Sequence, residues 1–88
     1  MQRANAYMAL AAELEMWSRR PSPDLLACVG LPATSRVVEV QGEELLLELT
    51  VSWANEKRRA IRIAGMATGP SHWRLERLDE NVVVDLPV

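Results

Sequence analysis

The chain of 88 residues has a single cysteine, Cys28, and a single histidine, His72. One cysteine cannot close an internal disulfide, and one Cys with one His cannot supply the clustered ligands of a Cys/His zinc site. Neither GxGxxG nor GxxxxGK(S/T) occurs, and the glycine-bearing stretch Gly65–Gly69 precedes an expected strand. It therefore lacks the helix N-terminus on which a phosphate sits. No apolar run approaches the ~18 residues that a membrane-spanning helix needs. Glu13 and Glu15 interrupt the Ala/Met/Leu-rich start and no cleavage-like site follows, so the expectation is no signal peptide and a cytoplasmic protein. A basic excess is missing as well: 10 Lys and Arg stand against 12 Asp and Glu, a formal net charge of −2, which argues against a general nucleic-acid binder.

What is present is a strand of clear alternation. Leu45, Leu47, Leu49, Val51 and Trp53 alternate with Glu44, Leu46, Glu48, Thr50 and Ser52, the signature of a sheet with one buried face. At about 1.5–3 kcal/mol for each buried side chain, this stretch is the expected centre of the core.

Before it, residues 4–19 are rich in Ala, Leu, Met and Glu without Gly or Pro and predict a helix. On a helical wheel Tyr7, Leu10, Ala11, Leu14 and Trp17 share one side, with Glu13 off it, while Met8 and Met16 lie outside that stripe. Pro21 ends the helix. Ser22, Pro23 and Asp24 then read as N-cap, first-turn proline and early acid of a short second helix, closed by Gly30. Cys28, towards its C-terminal end, reads as a small buried hydrophobe, not a reactive thiol.

The strands follow. Residues 36–41 predict a first strand, and Gly42-Glu43 a type II′ turn that sets Val40 against Leu45 and Val38 against Leu47. Ala54-Asn55-Glu56 predicts a turn into a strand over 57–64, with Glu48 opposite Arg62. Gly65 to Ser71 reads as a flexible connector, the loop best able to hold function. Strand alternation resumes over 72–78, with Trp73 and Leu75 inward. Asp79-Glu80-Asn81 reads as a turn before Val82–Leu86, with a bulge near Leu78. The resulting fold class is α+β: one long N-terminal helix and one short helix packed on one face of a four- to five-stranded antiparallel meander sheet, a single domain over residues 1–88.

Catalytic constellations are not evident. His72 follows Ser71 directly, without nucleophile-elbow spacing, and no cofactor motif occurs, so the expectation is a protein that is not an enzyme and takes no cofactor. Val37, Leu46 and Val83 fall on the face that should be polar, beside Arg58 and Arg62, which marks these residues as candidate interface. The consecutive valines Val82-Val83-Val84 in a terminal strand point the same way. A protein partner or a homodimer is the first expectation, with action through the sheet face or edge. The second is a small apolar ligand held in a pocket lined by Trp17, Trp53 and Trp73, all on core-facing positions.

Overall fold

The computed structural model describes residues 3–69 and 76–87. Helix α1 (Arg3–Ser18) and helix α2 (Ser22–Cys28) are followed by strands β1 (Thr34–Val40), β2 (Glu43–Trp53), β3 (Ala60–Gly69) and β4 (Glu76–Asp85). The sheet is an antiparallel meander in the order β1-β2-β3-β4. Leu10, Leu14 and Trp17 of α1 and Leu25 of α2 share a core with Leu45, Leu47, Leu49 and Val51 of β2 and Ile61, Ile63 and Ala67 of β3. Leu10, Leu25, Leu45, Leu47, Ile61 and Ile63 are sealed from solvent. At about 1.5–3 kcal/mol each, these six are the largest favourable contribution one can assign to named residues.

Helix α1 is rotated relative to the wheel. Its buried residues are Ala6, Leu10, Glu13, Leu14 and Trp17, whereas Tyr7 is 53% exposed and Ala11 half-buried. Glu13 belongs to the buried set because Arg36, on the inward side of β1, reaches it: Arg36 Nη1 donates to Glu13 Oε2 at 3.2 Å. The helix ends with Arg20 stacked over Trp17, 3.8 Å from its ring centroid. Helix α2 is entered one residue earlier than expected. Its N-cap is Pro21, without a side-chain cap bond, and Pro23 falls in the first turn. Beyond α2, the Gly30 N–H donates to the Val51 carbonyl at 3.3 Å, on the part of β2 that extends past the pairing with β1.

Both hairpin registers differ from expectation by an even number of residues, so the faces survive and the partners change. In the first hairpin Gln41 (φ 50°) and Gly42 (φ 80°) are both left-handed, the type I′ requirement, and Val40 pairs with Glu43, Val38 with Leu45 and Val37 with Leu46. This places Glu39 opposite Glu44, at about 0.2–1 kcal/mol for like charges. The I′ turn matches the right-handed strand twist, and that match outweighs the repulsion. In the second hairpin β2 runs further: Ala54 N–H donates to Ala60 O at 2.9 Å, and the loop lies between them. Asn55 organises it, accepting from Arg58 N–H on its carbonyl (3.2 Å) and from Arg59 N–H on Oδ1 (3.0 Å). Arg62 consequently pairs with Ser52 and Glu48 with Met66, and the expected Glu48–Arg62 pair does not form. Arg58, expected on a strand, sits in this loop at φ 56°.

Strand β3 continues through Gly65–Gly69, the stretch expected to be a flexible connector; Ser71 lies outside the described residues. The glycine there is a matter of space. A Cβ on Gly65 would lie 2.7 Å from Leu10 Cδ1 and 3.3 Å from Leu14 Cδ2, so α1 can sit this close only over a residue without a side chain. Strand β4 likewise runs unbroken through Asp79-Glu80-Asn81, where a turn was expected, so the sheet has four strands. With no turn, Leu78, Val82 and Val84 share one parity and no bulge is needed to turn them inward.

Candidate functional site

The helices leave two surfaces of the sheet open. Because strand side chains alternate, the face away from α1 carries Val37 and Ser35 on β1, Leu46, Glu48, Thr50 and Ser52 on β2, Arg62, Ala64, Met66 and Thr68 on β3, and Arg77, Asp79, Asn81 and Val83 on β4. No described helix or strand lies over this face, although Thr68, paired with Leu46, is buried. Val37 is 63% exposed and directly paired with the half-buried Leu46, and Val83 is 47% exposed. A depression of about 220 Å³ lies between Glu48, Thr50, Ala64, Met66 and Asp79.

The residues singled out as interface therefore do not form one patch. Val37 and Leu46 lie at one end. Arg62 and Val83 are paired neighbours six positions further along β3, about 20 Å away at the ordinary strand rise. Arg58 has left the face altogether and its guanidinium stands over Trp53, 5.7 Å from the ring centroid. On β4, Arg77 Nε donates to both carboxylate oxygens of Asp79, at 2.9 and 3.1 Å, which holds the exposed guanidinium above its ordinary pKa. Asp79 thereby spends its charge on its own strand.

The second open surface is the free side of β4. Beside it, α1 and β4 enclose a cleft of about 260 Å³ lined by Tyr7, Ala11, Leu14, Glu15, Ser18, Glu80 and Val82 among others. Tyr7 and Ala11 had been placed with the core. With α1 rotated from the expected wheel they stand beside β4 at the cleft and not over the centre of the sheet. Glu80, on the inward parity opposite Gly65, is half-buried at the mouth of the cleft and makes no hydrogen bond or ion pair among the described residues. Glu15 is held by Arg19 one turn on.

The two described tryptophans, Trp17 and Trp53, do not line a common crevice. Trp17 is buried and borders a crevice of about 50 Å³ with Cys28, Leu31, Pro32, Thr34, Leu49 and Val51. Trp53 is half-buried at the end of β2 and is not among the residues of that crevice. Trp73, His72 and Ser71 lie outside the described residues. The described residues that line the crevice with Cys28 include no acid or base. Among the described residues no group of three or more His, Cys, Asp or Glu is placed to hold a metal ion, and no helix is long and apolar enough to cross a membrane.

Sequence reasoning missed two elements of this arrangement. The Glu13–Arg36 bridge had a signal, since Arg36 shares inward parity with Val38 and Val40 and so needed a carboxylate on whatever covered β1. The cleft had none, because it depends on where the sheet ends beneath the helix. Comparison with protein-family models, curated proteins and solved structures finds no match to this chain.

Proposed function

We propose that this chain is a non-enzymatic protein-interaction domain that self-associates through the outer face of its sheet. The observation that carries the reading is the pair Val37–Leu46, over which no described element lies, with Met66 diagonal to Leu46 on β3. Apolar groups on an open sheet face are commonly satisfied by a second surface. Size is consistent with this. Strands of about ten residues at ~3.3 Å per residue, four across at ~4.8 Å, give a face of roughly 600 Å². Two such faces brought together bury about 1,200 Å², the lower bound for specific association, so the dimer is expected to be weak and concentration-dependent. A face-to-face two-fold pairing is also the symmetry that small homo-oligomers use most.

Light scattering over micromolar concentrations tests the proposal. The unmodified chain should show a dimer that dissociates on dilution, and Leu46→Lys or Val37→Lys should leave a folded monomer at every concentration. A monomer for the unmodified chain, or a dimer indifferent to both substitutions, would remove the outer face from the argument.

A further inference from the structure

The free edge of β4 and the cleft beside it point to a second, separate binding activity. We propose that β4 takes up an extended segment of a partner protein as a fifth strand, with basic side chains set against Glu80 and apolar ones in the cleft beneath Tyr7 and Ala11. Strand addition of this kind draws affinity from main-chain hydrogen bonds and specificity from pockets that receive alternate side chains, and β4 offers both.

The backbone requirement follows from one bond. Leu86 N–H donates to Arg59 O at 2.8 Å, continuing the pairing of Asp85 with Ala60 one step further. Leu86 and Arg59 are therefore a hydrogen-bonded pair, and with the register unbroken through Glu76, residues 84, 82, 80 and 78 also turn their N–H and C=O towards β3. Residues 85, 83, 81, 79 and 77 turn theirs outwards, where no described strand receives them. The side-chain requirement comes from α1. Tyr7, Ala11 and Ser18 line the cleft beside β4, on the side that a fifth strand would occupy.

Charge selects the occupant. Between Glu76 and Asp85 the strand holds Glu76, Asp79, Glu80 and Asp85 against Arg77 alone, and Arg77 is engaged by Asp79. A second copy of β4 would bring another Glu80 into a cleft that already contains Glu80 and Glu15. Like charges there are disfavoured, whereas a lysine or arginine on the inward side of the incoming strand would pair with Glu80, a carboxylate without a partner among the described residues. The other edge, β1, is shorter and points Arg36 inward, a charged arrangement of the kind that keeps strands from pairing.

The probe is an acetylated and amidated peptide, Lys-Val-Thr-Val-Thr-Lys-Lys-Val-Glu, antiparallel to β4 with its first lysine opposite Asp85 and its central lysines opposite Glu80 and Asp79. Hydrogen exchange on the unmodified protein should show new protection at the amides of Asp79, Asn81 and Val83, with Val82 and Val84 unchanged because β3 already binds them. Glu80→Lys should weaken binding by about tenfold or more, as should replacement of the peptide lysines by glutamate. Asn81→Pro removes an outward N–H and no bond to β3, and alters one residue that lines the cleft, so it should fold and lose the probe. Protection that includes no odd-numbered amide of β4, or equal binding of the acidic peptide, overturns the proposal. Should Asn81→Pro instead abolish dimerisation, the edge is occupied by a second copy and the basic partner is refuted. Leu46→Lys keeps the two surfaces apart: a monomeric variant that still binds the probe supports this inference, and a dimer that ignores the probe sinks it while leaving the outer face intact.

Discussion

The distance between α1 and the sheet rests on Gly65, and Gly65→Ala tests it. The added Cβ would lie 2.7 Å from Leu10 Cδ1 and 3.3 Å from Leu14 Cδ2, where carbon atoms ordinarily rest about 3.5–4.0 Å apart. Leu10 has nowhere to go, since it is sealed from solvent against the core. Either it leaves its rotamer or α1 lifts, and overpacking of this kind costs about 1–3 kcal/mol. Against that stands a gain of about 0.4–1 kcal/mol, because alanine has less freedom to lose from the unfolded chain. At mid-range the net is a destabilisation of about 1.3 kcal/mol, or a fall in Tm of about 5–10 °C for a domain of this size. Urea unfolding followed by Trp17, which lies on the same helix, would measure it. The mechanism is checked by a double-mutant cycle: Leu10→Ala costs about 2–5 kcal/mol alone and should cost at least ~1 kcal/mol less beside Gly65→Ala, since the new methyl enters the vacated space. A Gly65→Ala protein as stable as its parent, or two strictly additive losses, would refute the steric reading.

Two further substitutions probe the frame. Arg36→Ala leaves the Glu13 carboxylate, whose side chain is 10% exposed, without its cation; with Arg36 itself 56% exposed and partly screened, a loss of about 1–2 kcal/mol is expected by urea denaturation, and a change of only a few tenths would mean the bridge is incidental. Gln41→Asn should raise stability by about 0.5–1 kcal/mol, because Asn tolerates the left-handed φ of 50° better and Asn-Gly is the preferred type I′ pair; an unchanged or lowered Tm would count against that turn.

Much of the fold was legible because alternation is robust. A shift of two residues in the first hairpin and of four in the second leaves Leu45, Leu47, Ile61 and Ile63 inward and Val37, Leu46 and Arg62 outward. The same robustness hides the register, since every even shift satisfies the hydrophobic pattern equally well. What then decides is backbone chemistry: a left-handed glutamine in one turn, and Asn55 bonding the loop of the other. Gly65 reads as part of a connector for a different reason. A glycine that permits a turn and a glycine that admits a neighbouring helix look alike until the helix is in place. The same holds for the candidate surfaces, where Tyr7 was legible as an apolar helix residue but the extent of the sheet beneath it was not.

Strand β4 misled because its two halves obey different demands. From Asp79 to Asn81 both faces are polar, which resembles a turn, and from Val82 to Val84 both faces are apolar, which resembles a fully buried strand. An edge strand beneath the rim of a helix reconciles them. The valine half lies inward against the core through Val82 and Val84, while the acidic half keeps charge along an unpaired backbone, a common device against indiscriminate pairing. The strand is therefore directional: an incoming segment meets carboxylates at one end and valines at the other, and reversing it would set basic residues against Val82 and Val83. The scrambled order Glu-Val-Lys-Lys-Thr-Val-Thr-Val-Lys, which inverts the probe, places its lysines on the valine half in the antiparallel register. It should bind worse than the original by about tenfold, and equal binding would show that charge alone, without strand pairing, accounts for the attraction.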